Sequence, residues 1–74
     1  MNADQLRGAL RELHGDRDLT VVFHASEHVV TPYNPITVKK AMLIPHEQDG
    51  LVKVTDGKAI YILNAESVAW IKIG

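Results

Sequence analysis

The stretch KAIYILNAESVAWIKIG, residues 58–74, contains two short runs of strand-forming residues on either side of a polar turn at residues 64–67. Alternate residues of a strand point to opposite faces of its sheet. In the first run Ile60 and Ile62 therefore share one face, while Ala59, Tyr61 and Leu63 share the other. Both faces are apolar, although an antiparallel sheet commonly keeps one face solvated.

The second run, residues 68–73, is predicted to be apolar on both faces as well. Its faces are Val68, Trp70 and Lys72 against Ala69, Ile71 and Ile73. One face can line the core of a single chain, and the other needs a cover from the N-terminal segment or from a second copy. An apolar edge strand left unpaired invites aggregation, so we expect edge strands of neighbouring copies to pair.

Pairing of the last strand with an edge strand of the next copy is a head-to-tail contact, which closes into a ring when the rotation permits. Trp70 and Tyr61 are interpreted as core or subunit contacts, the Tyr61 hydroxyl needing a polar partner. The residues predicted to lie at the subunit contact are Tyr61, Leu63, Val68, Trp70 and Ile71.

The size of the chain also favours assembly. A domain of 74 residues has a small core and marginal stability. The sequence contains no cysteine, which excludes disulfides and thiolate metal sites as reinforcement. Eight Lys and Arg residues against nine Asp and Glu residues leave a net charge of −1, so nucleic-acid binding would depend on a local basic patch.

Residues 1–15 are predicted to form an N-terminal helix. Leucines and an alanine recur at helical spacing, at Leu6, Ala9, Leu10 and Leu13. Asn2 and Gln5 have the spacing of a capping box, and Gly15 is predicted to end the helix. Three charged residues are expected to face solvent on the opposite side: Arg7, Arg11 and Glu12.

Residues 18–74 are predicted to form five or six short antiparallel strands. The candidate strands are residues 19–24, 29–31, 36–44, 51–55, 58–63 and 68–73, with a hairpin turn at 25–28 and a two-residue turn at Asp56-Gly57. No second helix is available for a parallel crossover. The fold class is therefore mainly β, a single domain of one helix and a small, strongly bent antiparallel barrel.

This order of elements resembles the Sm/LSm superfamily, which includes the bacterial host-factor branch. The similarity is most specific at residues 60–71, IYILNAESVAWI, an apolar strand, a tight turn and a second strand. Asn64-Ala65 stands where that family has an Arg-Gly turn, and Tyr33-Asn34 is an echo of its earlier Asp…Asn signature. A divergent member, of phage or environmental origin, is what the resemblance implies. It implies a cyclic homo-oligomer and single-stranded RNA as the ligand.

The candidate RNA-binding residues are Tyr33, Asn34, Lys39, Lys40 and Asn64, which combine an aromatic ring for base stacking with lysines for phosphates. The alternative is that Tyr33 anchors a loop between two prolines and that the two lysines protect a strand edge. A rival function is a protein-binding scaffold or adaptor, which the near-neutral charge favours. A pocket for a small molecule at the subunit boundary is a third alternative.

Other classes of function have no motif to support them. The spacing of His24 and His28 does not bring two imidazoles together on a strand-turn-strand, so no metal site is predicted. Ser26 and Ser67 lack a nucleophile context, and neither a carboxylate pair nor a glycine-rich phosphate loop is present, so neither catalysis nor a cofactor is expected. The longest apolar run, residues 59–63, is too short to span a bilayer, and no secretion signal is apparent. A cytoplasmic location is therefore expected.

Overall fold

The computed structural model describes residues 1–24, 35–45 and 48–74. One helix and five antiparallel strands are present within these ranges, as predicted. In chain order they are α1 (Ala3–Leu10), β1 (His14–Phe23), β2 (Ile36–Leu43), β3 (Val52–Thr55), β4 (Ile60–Leu63), the one-turn 3-10 helix η1 (Ala65–Ser67) and β5 (Val68–Ile73). The predicted turn at 25–28 and the predicted strand at 29–31 lie outside the described residues.

Helix α1 begins as predicted but ends early. The side chain of Asn2 accepts a hydrogen bond from the Gln5 backbone N–H, and the Gln5 side chain accepts one from the Asn2 N–H, which completes the capping box. The prediction that Gly15 ends the helix was wrong, because a tight turn follows Leu10. In this turn the Leu13 N–H donates a hydrogen bond to the Leu10 carbonyl oxygen, and the Leu13 side chain is buried in the core. Gly15 instead is the second residue of β1 and has a φ of 85°.

The five strands form one sheet in the order β4-β3-β2-β1-β5, so the last two strands of the chain are its two edges. A flat sheet of five strands would separate its edge strands by about 19 Å. Six residues from Leu63 to Val68 extend at most about 18 Å, and the 3-10 turn between them shortens that reach. The sheet must therefore bend strongly. Among the described residues β4 and β5 are not paired with each other, so the sheet is open rather than closed into a barrel.

A β-bulge in β5 changes which of its residues face the core. Val22 pairs with Trp70 whereas Phe23 pairs with Val68, so Ala69 is an extra residue. The extra residue reverses the alternation, and Val68 is buried while Trp70 is exposed. The prediction that Val68 and Trp70 share a face was therefore wrong. The predicted faces of β4 are confirmed, with Leu63 buried and Ile60 and Ile62 exposed.

The core lies between α1 and the concave face of the sheet. Its members come from the helix, the turn after it, all five strands and the turn between β4 and β5, namely Leu6, Leu10, Leu13, Leu19, Val21, Val38, Ala41, Val52, Val54, Leu63, Ala65 and Val68. Every strand thus contributes at least one buried apolar side chain. No helix of the described residues is long and apolar enough to cross a membrane.

Arg7 is a correction to the predicted solvent face of the helix, because it is only 8% exposed. Its guanidinium donates to the carbonyl oxygens of Gly50 and Leu51 at 3.2 and 3.1 Å, and it forms a 3.5 Å ion pair with Asp4. Burying a guanidinium is costly unless its donors are satisfied. These contacts satisfy several of them and fix the end of the β2–β3 loop against α1.

Candidate functional site

Strand β4 presents an open backbone edge with apolar side chains beside it. It pairs with β3 on one side, and no described strand pairs with its other side. Ile60 and Ile62 point away from the core and are 64% and 59% exposed. Exposed isoleucines beside an open strand edge form an apolar surface of the kind that proteins usually cover or protect.

Strand β5 forms the opposite open edge. It pairs with β1, and its outer side has no partner among the described strands. Trp70 is 53% exposed and therefore lies outside the core of one copy. Ile71 and Ile73 are half-buried on the inner face, beside Val21 and Leu19. In the part of the chain that the structure describes, both edges of the sheet thus have backbone groups that no strand pairs and exposed apolar side chains.

The predicted subunit-contact residues occupy different environments. Leu63 and Val68 are buried in the core of one copy, so only their backbone groups reach the sheet edges. Tyr61 is half-buried, and its hydroxyl donates to Asp56 at 3.3 Å. Sequence reasoning placed Ile60 and Ile62 on a common face without assigning them to the contact. Their exposure follows from the alternation of β4 once its inner face is assigned to the core.

An open cleft of about 310 Å³ lies beside the C-terminal end of β4, and we call it the β4 cleft. Its lining residues come from α1, the end of the β2–β3 loop, β3, β4 and η1: Ala3, Gly50, Leu51, Val52, Ile62, Leu63, Asn64, Ala65 and Glu66. Most of these side chains are apolar, and Leu51 and Ile62 are exposed within one copy. The contacts of Arg7 with Gly50 and Leu51 hold one wall of the cleft in place.

A second depression, of about 500 Å³, is lined by Asp18, Lys39, Lys40, Asp56 and Lys58, and we call it the lysine corner. A bulge in β2 creates it, since Arg17 pairs with Ala41 but Leu19 pairs with Val38. Lys40 has a φ of 47°, which is uncommon for a residue with a side chain. The loop between β3 and β4 supplies the remaining lysine and aspartate.

Asp18 holds the bulge in place. One of its carboxylate oxygens accepts the Lys40 backbone N–H at 3.0 Å, and the other accepts the Lys39 ammonium at 3.2 Å. These hydrogen bonds, the backbone bond first, hold the pKa of Asp18 below its ordinary value of 3.8. The side chains of Lys40 and Lys58 form no ion pair with another described residue and remain available to an anion.

The loop between β3 and β4 is longer than predicted. Thr55 pairs with Ile60, so the loop has four residues, 56–59, rather than the predicted two. Asp56 folds it by accepting hydrogen bonds from the backbone N–H groups of Ala59 and Lys58, and these bonds lower the pKa of Asp56. The negative charge of Asp56 raises the pKa of the Tyr61 hydroxyl.

We expect Asp18 to make the stability of the fold depend on pH in the acid range. Because its pKa is lowered on folding, its stabilising contribution is present above the unfolded pKa near 3.8 and is lost as the pH falls through the lower folded value. Asp18→Ala should lower the melting temperature at pH 7, and the difference from wild type should shrink below pH 3.8. Asp16→Ala is the control, since Asp16 is an exposed aspartate of the same strand. An unchanged difference across this range would contradict the role of the carboxylate.

The described members of the predicted RNA-binding set lie in two places within one copy. Tyr33 and Asn34 lie outside the described residues. Lys39 and Lys40 lie in the lysine corner, whereas Asn64 lines the β4 cleft and caps η1 by accepting the Glu66 backbone N–H. The two locations are at opposite ends of the β3–β4 hairpin. Sequence reasoning missed Lys58, because its loop is brought beside Lys40 by the pairing of β2 with β3.

The histidines of the described residues do not form a metal site. His14 and His24 lie at opposite ends of β1, and the described residues contain no cluster of three potential ligands among His, Asp and Glu. His28 and His46 lie outside the described residues.

No protein-family model, curated protein or solved structure matches the chain.

Proposed function

We propose that this protein is a non-catalytic, Sm-like subunit that assembles head-to-tail into a closed homo-oligomer and binds single-stranded RNA. One observation carries the assembly. Within the described residues the same chain has two sheet edges without a partner strand, β4 and β5, and large apolar side chains are exposed on both, Ile60 and Ile62 on one and Trp70 on the other.

Pairing β4 of one copy with β5 of the next is favoured over pairing like edges. A twofold contact between two β4 strands, or between two β5 strands, leaves the other edge of each copy open. A β4–β5 contact uses both edges of every copy and leaves none exposed when the assembly closes. The strong bend of the sheet and the helix followed by five antiparallel strands are consistent with the Sm-like architecture.

Sedimentation-velocity ultracentrifugation over a wide range of protein concentrations tests the assembly. We expect one species with the mass of several copies, which dissociates only on strong dilution. A folded single-copy species at every concentration, without aggregates, would falsify the proposed assembly.

The lysine corner supports RNA as the ligand. It places three lysines against two aspartates, so its local charge is +1 although the whole chain carries −1. Two of these lysines form no ion pair among the described residues, and phosphate binding needs such free ammonium groups. A closed assembly repeats the corner once per copy, which raises the affinity for a strand that spans several copies.

Fluorescence polarisation with labelled oligo-U and oligo-A tests RNA binding. We expect affinity to fall steeply between about 50 and 200 mM salt, because each phosphate contact releases counterions. Absence of binding at micromolar protein and low salt, with the oligomer intact, would exclude RNA. That result would support the rival function, a scaffold that recognises another protein.

Lys58→Gln should weaken RNA binding several-fold. The slope of log K against the logarithm of the salt concentration should become shallower by about 0.7 for each phosphate contact that is lost. The matched control is Lys53→Gln, which removes the same charge from β3 at a lysine that pairs with Asp49 outside the lysine corner. Equal weakening by both variants would mean that RNA responds to total charge and not to the lysine corner.

A further inference from the structure

The lysine corner contains two lysines whose ammonium groups have no partner among the described residues, Lys40 and Lys58. We infer that these two ammonium groups hold one phosphate group of an RNA strand between them, and that Asp18 and Asp56 position them to do so. This inference rests on the proposed RNA binding and specifies which residues of each copy contact the backbone of the strand. The site is separate from Asn64, which lines the β4 cleft.

Each aspartate of the corner binds the backbone of one of these lysines and leaves its ammonium group unpaired. Asp18 accepts the Lys40 backbone N–H at 3.0 Å, and Asp56 accepts the Lys58 backbone N–H at 2.8 Å. A hydrogen bond to the backbone fixes the point from which the lysine side chain extends. The aspartates therefore position both lysines without forming an ion pair with either.

The remaining oxygen of each carboxylate is occupied as well. The second oxygen of Asp18 accepts the Lys39 ammonium group at 3.2 Å, and the second oxygen of Asp56 accepts the Tyr61 hydroxyl at 3.3 Å. The hydrogen bonds to each aspartate, those from backbone N–H groups first, hold its pKa below the ordinary value of 3.8. Both carboxylates are thus ionised at neutral pH and already have donors, so neither needs an unpaired lysine of the corner as its counter-ion.

The backbone of Lys40 indicates that its side chain has a use. Among the described residues it is the one residue other than glycine with a positive φ, at 47°. This conformation disfavours any residue with a Cβ, and glycine is its usual occupant. Residues held in such conformations by the structure around them are concentrated at ligand sites. A lysine on an exposed bulge that suits glycine is therefore consistent with a role in binding.

The charge of the lysine corner matches one phosphate group of a strand. Three lysines and two aspartates give the corner a charge of +1, and one phosphodiester carries a single negative charge. Two ammonium groups can each donate a charge-assisted hydrogen bond to the same phosphate. One copy therefore binds one phosphate group at this corner.

Variants of Asp18 distinguish positioning from simple charge. Asp18→Ala removes a negative charge beside the site, and charge alone would then tighten the binding of labelled oligo-U. We expect it instead to weaken binding about fivefold or more, because the Lys40 backbone loses its acceptor. Asp18→Asn removes the same charge but keeps an oxygen acceptor, so it should rescue binding relative to Asp18→Ala. Fluorescence polarisation at one low salt concentration measures the affinities, and circular dichroism establishes that each variant is folded.

Variants of the lysines test whether one phosphate group is shared. Lys40→Gln and Lys58→Gln should each weaken oligo-U binding several-fold. The double variant should lose less than the product of the two single losses, because both ammonium groups act on the same phosphate. Lys39→Gln removes the same charge from the adjacent residue and should weaken binding less than Lys40→Gln, since the Lys39 ammonium group already pairs with Asp18.

A competition experiment identifies the source of the phosphate. Inorganic phosphate should displace oligo-U only at a large excess, because a strand also gains from the corners of neighbouring copies. Displacement by inorganic phosphate at the concentration of the oligonucleotide itself would assign the corner to a free phosphate compound and overturn a strand as its ligand.

The outcomes separate the proposed phosphate site from the proposed RNA binding. If Asp18→Ala binds oligo-U more tightly than wild type, or if Lys39→Gln weakens binding as much as Lys40→Gln, the site is wrong and RNA binding stands. Losses that multiply in the double variant would mean two separate phosphates and would overturn the shared site. A wild-type protein that binds no oligo-U at low salt overturns both proposals.

Discussion

Ile62→Glu is expected to convert the assembly into folded single copies. In one copy Ile62 is 59% exposed, so a glutamate there keeps its hydration and leaves the fold intact. In the paired edge the same carboxylate would lie among apolar side chains of two copies, and burial without a partner costs at least about 2 kcal/mol. The association constant should therefore fall by at least about 30-fold. Light scattering after size-exclusion chromatography measures the mass, and circular dichroism checks the fold.

Thr37→Glu is the matched control, since Thr37 is an exposed residue of β2, a strand with partners on both sides. This variant should retain the mass of the wild-type assembly. If Ile62→Glu also retained it, β4 could not be part of the contact. Ile71→Glu is a less selective test, because Ile71 is half-buried on the inner face and a carboxylate there disturbs the core as well as the edge.

Much of the fold could be predicted because its signals are local. The capping box depends on two side chains three residues apart, and the structure contains it. The bounds of β5 follow from a polar turn and an unbroken run of branched and aromatic residues, and they agree with the prediction at both ends. The alternation of β4 was also predictable, because no bulge interrupts it.

The features that could not be predicted depend on contacts between distant residues. The bulge at Ala69 arises from the way β5 pairs with β1, and no residue of β5 predicts it. Arg7 was assigned to the solvent face by its helical spacing, whereas its burial depends on carbonyl groups 43 and 44 residues further along the chain. An early turn ends α1 because Leu13 contributes to the core.

The candidate site could be predicted only in part, because some of its residues are distant in sequence and meet only in the folded chain. Lys39 and Lys40 are adjacent in sequence and drew attention as a pair. Lys58 joins them only through strand pairing, and Asp18 joins them only because it accepts the Lys40 backbone N–H within a bulge. Tyr33 and Asn34 remain predictions from the sequence.

Leu10→Ala should destabilise a single copy severely. Leu10 is fully buried at the centre of the contact between α1 and the sheet. Removing a buried leucine side chain costs about 2–5 kcal/mol, since the cavity collapses only partly. A domain of this length has about 4–11 kcal/mol of total stability, at 0.05–0.15 kcal/mol per residue. Urea denaturation should therefore show the loss of about a fifth or more of the unfolding free energy.

Arg11→Ala is the control, because Arg11 is an exposed residue at the end of the same helix and should change the unfolding free energy by less than about 0.5 kcal/mol. Both variants must be compared at one protein concentration, since assembly adds a concentration-dependent term to stability. If Leu10→Ala unfolded like wild type, α1 could not be the cover of the inner face. The two variants thus test the two covers of the sheet separately, the helix and a second copy. Leu10→Ala should weaken the fold of each copy, whereas Ile62→Glu should weaken association and leave that fold unchanged.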